Sequence, residues 1–166
     1  MIKKLSIFVF ASILLFACGI YSFTGASIST DAETVSIGYF QNNASMVQPI
    51  LSNSMTENLK DKFISQTNLS LTDASGDLKF EGEITGYKVR PIAIQANETA
   101  AQNRLTISVR VTFTNTLDEN QNYSQSFSHY ADFDSSQDLS IVETELIEQI
   151  VEVLSENIFN KAVANW

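Results

Sequence analysis

The sequence predicts an α+β domain in which two helices pack on one face of a mixed, four- to five-stranded sheet. Two stretches carry apolar residues every three to four positions, the spacing of an amphipathic helix. The stretches between them alternate apolar and polar residues, the spacing of a half-buried strand. The stretches follow one another in the order β-α-β-β-β-β-α. A sheet whose helices all lie on one side forms a two-layer sandwich.

The first half reads as a strand, a helix and a short strand. Residues 34–40 are rich in β-branched and aromatic side chains and predict the first strand. Residues 41–44 predict a turn, and residues 45–66 predict the first helix, with Pro49 early enough to fall in its first turn. Its expected apolar face is Val47, Ile50, Leu51, Met55, Leu59 and Phe63. A short strand at 69–71 follows, so we expect a right-handed parallel crossover.

The second half reads as an antiparallel meander closed by a helix. In the strand that begins near Lys79, successive side chains alternate between the two faces of the sheet. Its expected faces are Phe80, Gly82, Ile84 and Gly86 on one side and Glu81, Glu83, Thr85 and Tyr87 on the other. Strands at 104–115 and 123–133 follow, joined by a polar turn. Residues 140–162 predict the last helix. Its apolar face is Leu146, Ile147, Ile150, Leu154, Ile158 and Phe159.

The N-terminus resembles a bacterial lipoprotein signal. Two lysines precede an apolar run at residues 5–17, and thirteen residues are too few to span a bilayer, which needs about 20. The run fits the apolar region of a secretory signal and ends in LFAC, which resembles a lipobox although Phe16 is larger than that pattern prefers. We expect residues 1–17 to be a lipoprotein signal peptide and the thiol of Cys18 to be acylated. The alternative is that Cys18 is an inert buried thiol.

Length and charge limit the remaining possibilities. Residues 18–33 form the lipidated N-terminal segment in this interpretation, and residues 34–166 form one domain. With Cys18 as its single cysteine the chain makes no internal disulfide. The net charge of −9 argues against an electrostatic footprint for nucleic acid.

Several stretches resemble the LptE-type lipopolysaccharide-assembly lipoproteins. They are CGIYSFTGASI, TVSIGYFQNNA, FEGEITGY, RLTISVRVTFTN and NIFNKAVANW. The resemblance implies a non-enzymatic, lipid-anchored protein without a cofactor, on the periplasmic face of the outer membrane. It further implies that this protein plugs the LptD-type β-barrel translocon and helps deliver lipopolysaccharide to the outer leaflet. From the family's residues we carry over only Cys18, as the acylation site.

Three basic residues are candidates for a ligand or partner contact. Lys88 and Arg90 leave one predicted strand and Arg104 enters the next, so a hairpin would place all three near one tip. Such a cluster can bind lipid phosphates, because the arginine fork makes bidentate hydrogen bonds. The alternative is that they are solvated charges that flank a loop.

The stretch DFDSSQDLSIVE has two interpretations. Its oxygen-bearing side chains have the spacing of a twelve-residue calcium loop, although Gln137 stands where the sharp turn prefers glycine. The set is Asp132, Asp134, Ser136, Asp138, Ser140 and Glu143. The favoured interpretation is a capping box, Ser140 to Glu143, at the start of the last helix, with the aspartates near the positive end of its dipole. The favoured interpretation therefore predicts no metal site here, and a calcium loop is the alternative.

Two rival functions stay open at this point. One is a periplasmic lipoprotein that binds a small ligand or calcium and has no barrel partner. The other is a lipid-anchored hydrolase, for which His129, the single histidine, would have to be the base. No nucleophile-elbow, phosphate-loop or zinc spacing accompanies His129. Trp166, at the C-terminus, either packs under the last helix or anchors an interface.

Overall fold

A computed structural model of the chain describes residues 31–92 and 101–163. Within those ranges it contains strands β1 (Thr34–Ile37), β2 (Gln41–Asn42), β3 (Ser70–Leu71), β4 (Leu78–Ile92), β5 (Gln102–Asn115) and β6 (Tyr123–Asp134). The two helices are α1 (Pro49–Gln66) and α2 (Leu139–Val163). The expected signal peptide, Cys18 and Trp166 lie outside the described residues.

The strands form one mixed sheet in the order β3-β1-β4-β5-β6, with β2 beside β4. Strand β1 is parallel to β3 and β4, and the connection from β1 to β3 contains α1. Strands β4, β5 and β6 form an antiparallel meander. The prediction of an α+β fold with two helices and a mixed sheet is confirmed.

An aromatic chain links the helical layer to the sheet. The rings of Phe63 on α1 and Phe80 on β4 lie 4.9 Å apart, and Phe80 lies 4.8 Å from Phe113 on β5. Phe159 on α2 packs edge-on against Phe63 at 4.9 Å. These ring contacts stabilise the fold by more than the burial of their apolar area alone, because offset and edge-on aromatic pairs add a favourable electrostatic component. The predicted apolar face of α2 is buried throughout, and four of the six residues predicted for α1 are buried as well: Leu51, Met55, Leu59 and Phe63.

Helix α1 begins later than its apolar pattern predicts. Gln48 is extended, and Pro49 occupies the start of the helix. A residue before proline avoids the helical region, so residues 45–48 stay outside the helix and Val47 is 63% exposed. Residues 41–42, predicted as part of a turn, instead form β2 and pair with Glu83 and Ile84 of β4.

A β-bulge in β4 reverses the side-chain alternation after Ile84. Ile84 pairs with Val109 and Gly86 pairs with Ser108, so Thr85 is the additional residue on β4. The prediction that Tyr87 faces the polar side is therefore wrong, and Tyr87 is 2% exposed on the core side. Glycine within a strand pattern often marks such a bulge.

A charged contact holds the two helices together. The ammonium of Lys62 on α1 lies 2.6 Å from a carboxylate oxygen of Glu152 and 2.7 Å from one of Glu156, both on α2. Burial opposes the charge on Lys62, but the hydrogen bonds and charges of the two glutamates outweigh it and raise the lysine pKa. The hydrogen bonds from Lys62 lower the pKa values of both glutamates. Neither helix is long and apolar enough to cross a bilayer.

Candidate functional site

The loop end of the β4–β5 hairpin, where β4 ends and β5 begins, brings the three predicted basic residues together. Arg90 pairs directly with Arg104, and Lys88 pairs with Thr106, two positions further along β5. Alternation along both strands puts all three on the sheet face opposite the helices. We refer to Lys88, Arg90 and Arg104 as the basic tip.

Arg104 differs from its two neighbours because β6 supplies it with partners. Its Nε and Nη2 donate to the two carboxylate oxygens of Asp132 at 2.7 and 2.8 Å. Its guanidinium carbon lies 3.5 Å above the ring of Tyr130. The hydrogen bond to Asp132 is the main cause that raises the pKa of Arg104. Lys88 and Arg90 are exposed and form no ion pair within the described residues, so they carry the uncompensated charge of the tip.

Sequence reasoning did not find Asp132 and Tyr130 as partners of Arg104. The β5–β6 register pairs Arg104 with Asp132 and Thr106 with Tyr130, so these side chains are neighbours on one face. The alternation of side chains along β6 does not by itself show which residues of β5 lie opposite them. The register between the two strands must also be known, because a shift of one residue moves every side chain to the other face.

The acidic residues proposed as a calcium loop each have a different protein partner. Asp132 binds Arg104. Asp134 accepts hydrogen bonds from the backbone N–H and the hydroxyl of Ser136 at 2.8 and 2.6 Å. These bonds, the hydroxyl first, lower the pKa of Asp134. Among residues 31–92 and 101–163, no three acidic, histidine or cysteine side chains gather as metal ligands.

Asp138, rather than Ser140, caps helix α2. Its carboxylate accepts from the backbone N–H and the hydroxyl of Ser140 at 2.9 and 2.8 Å, and the hydroxyl bond is the main cause that lowers the pKa of Asp138. The capping box predicted between Ser140 and Glu143 is wrong, because the helix begins at Leu139 and Asp138 takes the cap position. The side chain of Glu143 is bonded elsewhere.

Glu143 ties the hairpin to the helical layer. The hydroxyl of Tyr87 on β4 donates a short hydrogen bond to the Glu143 carboxylate in the first turns of α2. Burial first, and then the bond and charge of Glu143, raise the pKa of the Tyr87 hydroxyl. Tyr87 therefore stays protonated at neutral pH and remains a donor. This bond lies one residue from Lys88 and fixes the position of the basic tip relative to α2.

A polar cleft lies near the other end of β4. Its volume is about 320 Å³, and Ser36, Thr72, Asp73, Lys79 and Glu81 contribute to its lining. The Lys79 ammonium lies 2.8 Å from a Glu81 carboxylate oxygen, so its charge is compensated locally. Because Lys79 and Lys88 are nine residues apart on one strand, this cleft is separate from the basic tip.

His129 lies on the helix side of β6, opposite Ile107 of β5. Its ring stacks beside that of Tyr130 at 5.6 Å. In the part of the chain that the structure describes, it has no hydrogen bond to a serine hydroxyl, so a Ser–His pair is not assembled there.

The same fold occurs in solved structures of low sequence identity. A minor lipoprotein from Acinetobacter baumannii has a TM-score of 0.53 at 12% identity, over 81% of this chain and 94% of that chain. Uncharacterized lipoprotein B from Nitrosomonas europaea has a TM-score of 0.50 at 11% identity, over 80% of this chain and 83% of that chain. A hypothetical protein from Chlamydia trachomatis has a TM-score of 0.50 at 10% identity, over 81% of this chain and 99% of that chain. These likenesses define the fold alone. No curated protein matches the chain.

Fold and site together define a small two-layer α+β domain with a basic hairpin tip on its open sheet face. The model of a family described as LptE, lipopolysaccharide-assembly, matches residues 32–162. The chain belongs to the LptE family, a family of non-enzymatic lipoproteins. The match spans every strand and all but the last residue of α2, so the resemblance found in the sequence is confirmed.

Proposed function

We propose that the chain is an outer-membrane lipoprotein that assembles with an LptD-type β-barrel, plugs its lumen and helps deliver lipopolysaccharide to the outer leaflet. The family match over residues 32–162 is the observation that carries this proposal. Residues 1–17 are removed as a signal peptide, and acylated Cys18 anchors the protein on the periplasmic face. Residues 18–33 then connect the anchor to the domain at 34–166.

The open sheet face suits a polar lumen. Two of its rows, one on each side of Arg110, carry small hydroxyl side chains that bond to one another between β5 and β6. The hydroxyl oxygens of Ser108 and Ser128 are 3.0 Å apart, and those of Thr112 and Ser124 are 3.1 Å apart. Interiors of outer-membrane barrels are polar, so such a face can be enclosed there without leaving its hydroxyls unbonded.

Affinity purification from the outer membrane tests the partnership and the anchor. We expect the full-length, C-terminally tagged protein to recover a large β-barrel in roughly equal amount. The Cys18→Ala variant should lose its lipid anchor and be recovered from the outer membrane in a smaller amount, because alanine has no thiol to carry the acyl chain. Recovery of lipidated protein without a barrel would contradict the plug role and leave the anchor intact.

We further propose that the basic tip contacts the phosphates of lipopolysaccharide. In a chain with a net charge of −9, Lys88 and Arg90 present two adjacent, uncompensated cations on the open face. A phosphate can bind to them through charge-assisted hydrogen bonds. Arg104 contributes less, because Asp132 already occupies two of its donors.

The double change Lys88→Glu and Arg90→Glu is expected to weaken binding to vesicles that contain lipopolysaccharide by about tenfold or more. A variant with Arg104→Ala should lose less affinity. The matched control is Lys60→Glu with Lys161→Glu, which makes the same change in net charge on the two helices. Equal losses in both double variants would show that only overall charge matters, and the tip would not be the contact.

A further inference from the structure

Strand β6 leaves one edge of the sheet open. It is the last strand in the order β3-β1-β4-β5-β6, and its 12 residues have no strand on their outer side within the described ranges. An open edge presents unpaired backbone donors and acceptors to any extended segment. Natural proteins usually protect such an edge with charges, proline, a bulge or a covering element.

The edge of β6 has few of these protections. Its pairing with β5 runs from Tyr123 to Asp134 without a bulge. The strand contains no proline, lysine or arginine, and its two carboxylates, Asp132 and Asp134, stand together at its C-terminal end. Residues 123–130, YSQSFSHY, thus form an uninterrupted edge of eight residues without a lysine, arginine, aspartate or glutamate.

The direction of the backbone groups follows from one hydrogen bond. The carbonyl of Ile107 on β5 accepts a hydrogen bond from the hydroxyl of Ser128 at 3.2 Å, so that carbonyl points toward β6. His129, which pairs with Ile107, therefore bonds to β5 through its own backbone. Because these directions alternate, Ser126, Ser128 and Tyr130 direct their N–H and C=O groups away from the sheet. All three of these residues are exposed.

The side chains on the two faces of β6 determine which residues an added strand beside it would carry. On the helix side, Tyr123, Phe127 and Ala131 are only half-buried, so apolar side chains on an added strand would cover them. On the open face the neighbours are Ser124, Ser126 and Ser128, whose small hydroxyl side chains leave room for polar side chains, and then the ring of Tyr130. Asp134 at the end of the edge favours a lysine or arginine opposite it.

We propose that β6 accepts an extended segment of the β-barrel partner as an additional strand. The segment alternates apolar and polar residues and carries a basic residue opposite Asp134. This inference rests on the proposed function, since it assigns the surface through which that partnership is made. A second copy of this chain is the less favourable occupant, because two molecules that each carry a net charge of −9 repel one another.

Proline substitutions at Ser126 and Ser128 test the edge directly. Each removes one outward N–H and leaves the β5–β6 ladder intact, and edge strands tolerate proline. The matched controls Ser126→Ala and Ser128→Ala remove the same hydroxyls and keep the N–H groups. Each full-length variant is purified from the outer membrane by its tag, and its unfolding midpoint is measured in parallel.

We expect the double proline variant to recover at least about tenfold less barrel than the double alanine variant, since several backbone hydrogen bonds are lost together. Similar unfolding midpoints would show that the domain itself is intact. Equal recovery by both variants would overturn the edge proposal while the partnership stands. Failure of the unmodified protein to recover a barrel would overturn both, and a cross-linked dimer sensitive to proline would assign the edge to a second copy.

If the proline variants do not fold, photo-crosslinking from position 126 tests the proposal instead. A crosslink to the barrel supports the proposal, and the absence of that crosslink, when a probe on another face does crosslink, overturns it.

Discussion

Replacing Phe80 by alanine is expected to lower the free energy of unfolding by about 3–5 kcal/mol. Phe80 is completely buried and joins the two layers, because its ring contacts Phe63 on α1 and Phe113 on β5. Its removal leaves a cavity between a helix and a central strand, where the backbone of β4 is held on both sides by β1 and β5. The site therefore collapses little, and urea unfolding followed by circular dichroism measures the loss.

Two companion variants make the result specific. Phe80→Leu keeps most of the volume and should cost much less than the alanine variant, since it loses mainly the ring contacts. Ile64→Ala removes a large apolar side chain that is 55% exposed, and we expect a loss within about 0.5 kcal/mol. A loss at Phe80 no greater than at Ile64 would contradict the view that the aromatic chain joins the two layers.

The second large effect is expected at Gly82, which contacts an aromatic ring. A Cβ at this position would lie 2.2 Å from the nearest ring carbon of Phe40, a residue that is completely buried. Gly82→Ala therefore forces the ring to move within a packed core, which costs about 1–3 kcal/mol. Gly82→Val should cost more, and thermal unfolding of both variants tests the order.

A double variant distinguishes this collision from a loss of glycine's backbone freedom. Phe40→Leu makes room at Gly82, so Gly82→Ala in that background should cost at least about 0.5 kcal/mol less than in the unmodified chain. Gly38→Ala is the control, because its Cβ would meet no atom closer than 3.4 Å. Additive losses for Phe40→Leu and Gly82→Ala would exclude the steric explanation.

The element pattern followed from the sequence with few errors because local physics dominates it. The face of α2 was predicted correctly, since its apolar spacing is regular and no proline interrupts it. At α1 the same spacing predicted a start that is too early. Val47 matches the helical period but lies before Pro49, where the chain is extended. At Tyr87 alternation failed because a bulge inserts one residue, and nothing local distinguishes that from an uninterrupted strand except Gly86.

The candidate site was predictable only in part. That Lys88, Arg90 and Arg104 lie at one hairpin tip follows from their positions at the ends of adjacent strands. The hydrogen bonds from Arg104 to Asp132 and from Tyr87 to Glu143 could not be predicted, because each joins residues far apart in sequence. Local spacing had assigned the same acids to a calcium loop or a capping box.

The sequence by itself determined the order of the two helices and of every strand except β2, together with the α+β class, the family and the acylation candidate Cys18. Each of these depends on the order or spacing of neighbouring residues. Only the tertiary structure decided which cations of the tip are free and where the acidic side chains are bound. It alone shows that β6 is the open edge of the sheet. The physical reason is that strand register and sheet order depend on contacts between distant segments, which pack to satisfy the whole core rather than any one local pattern.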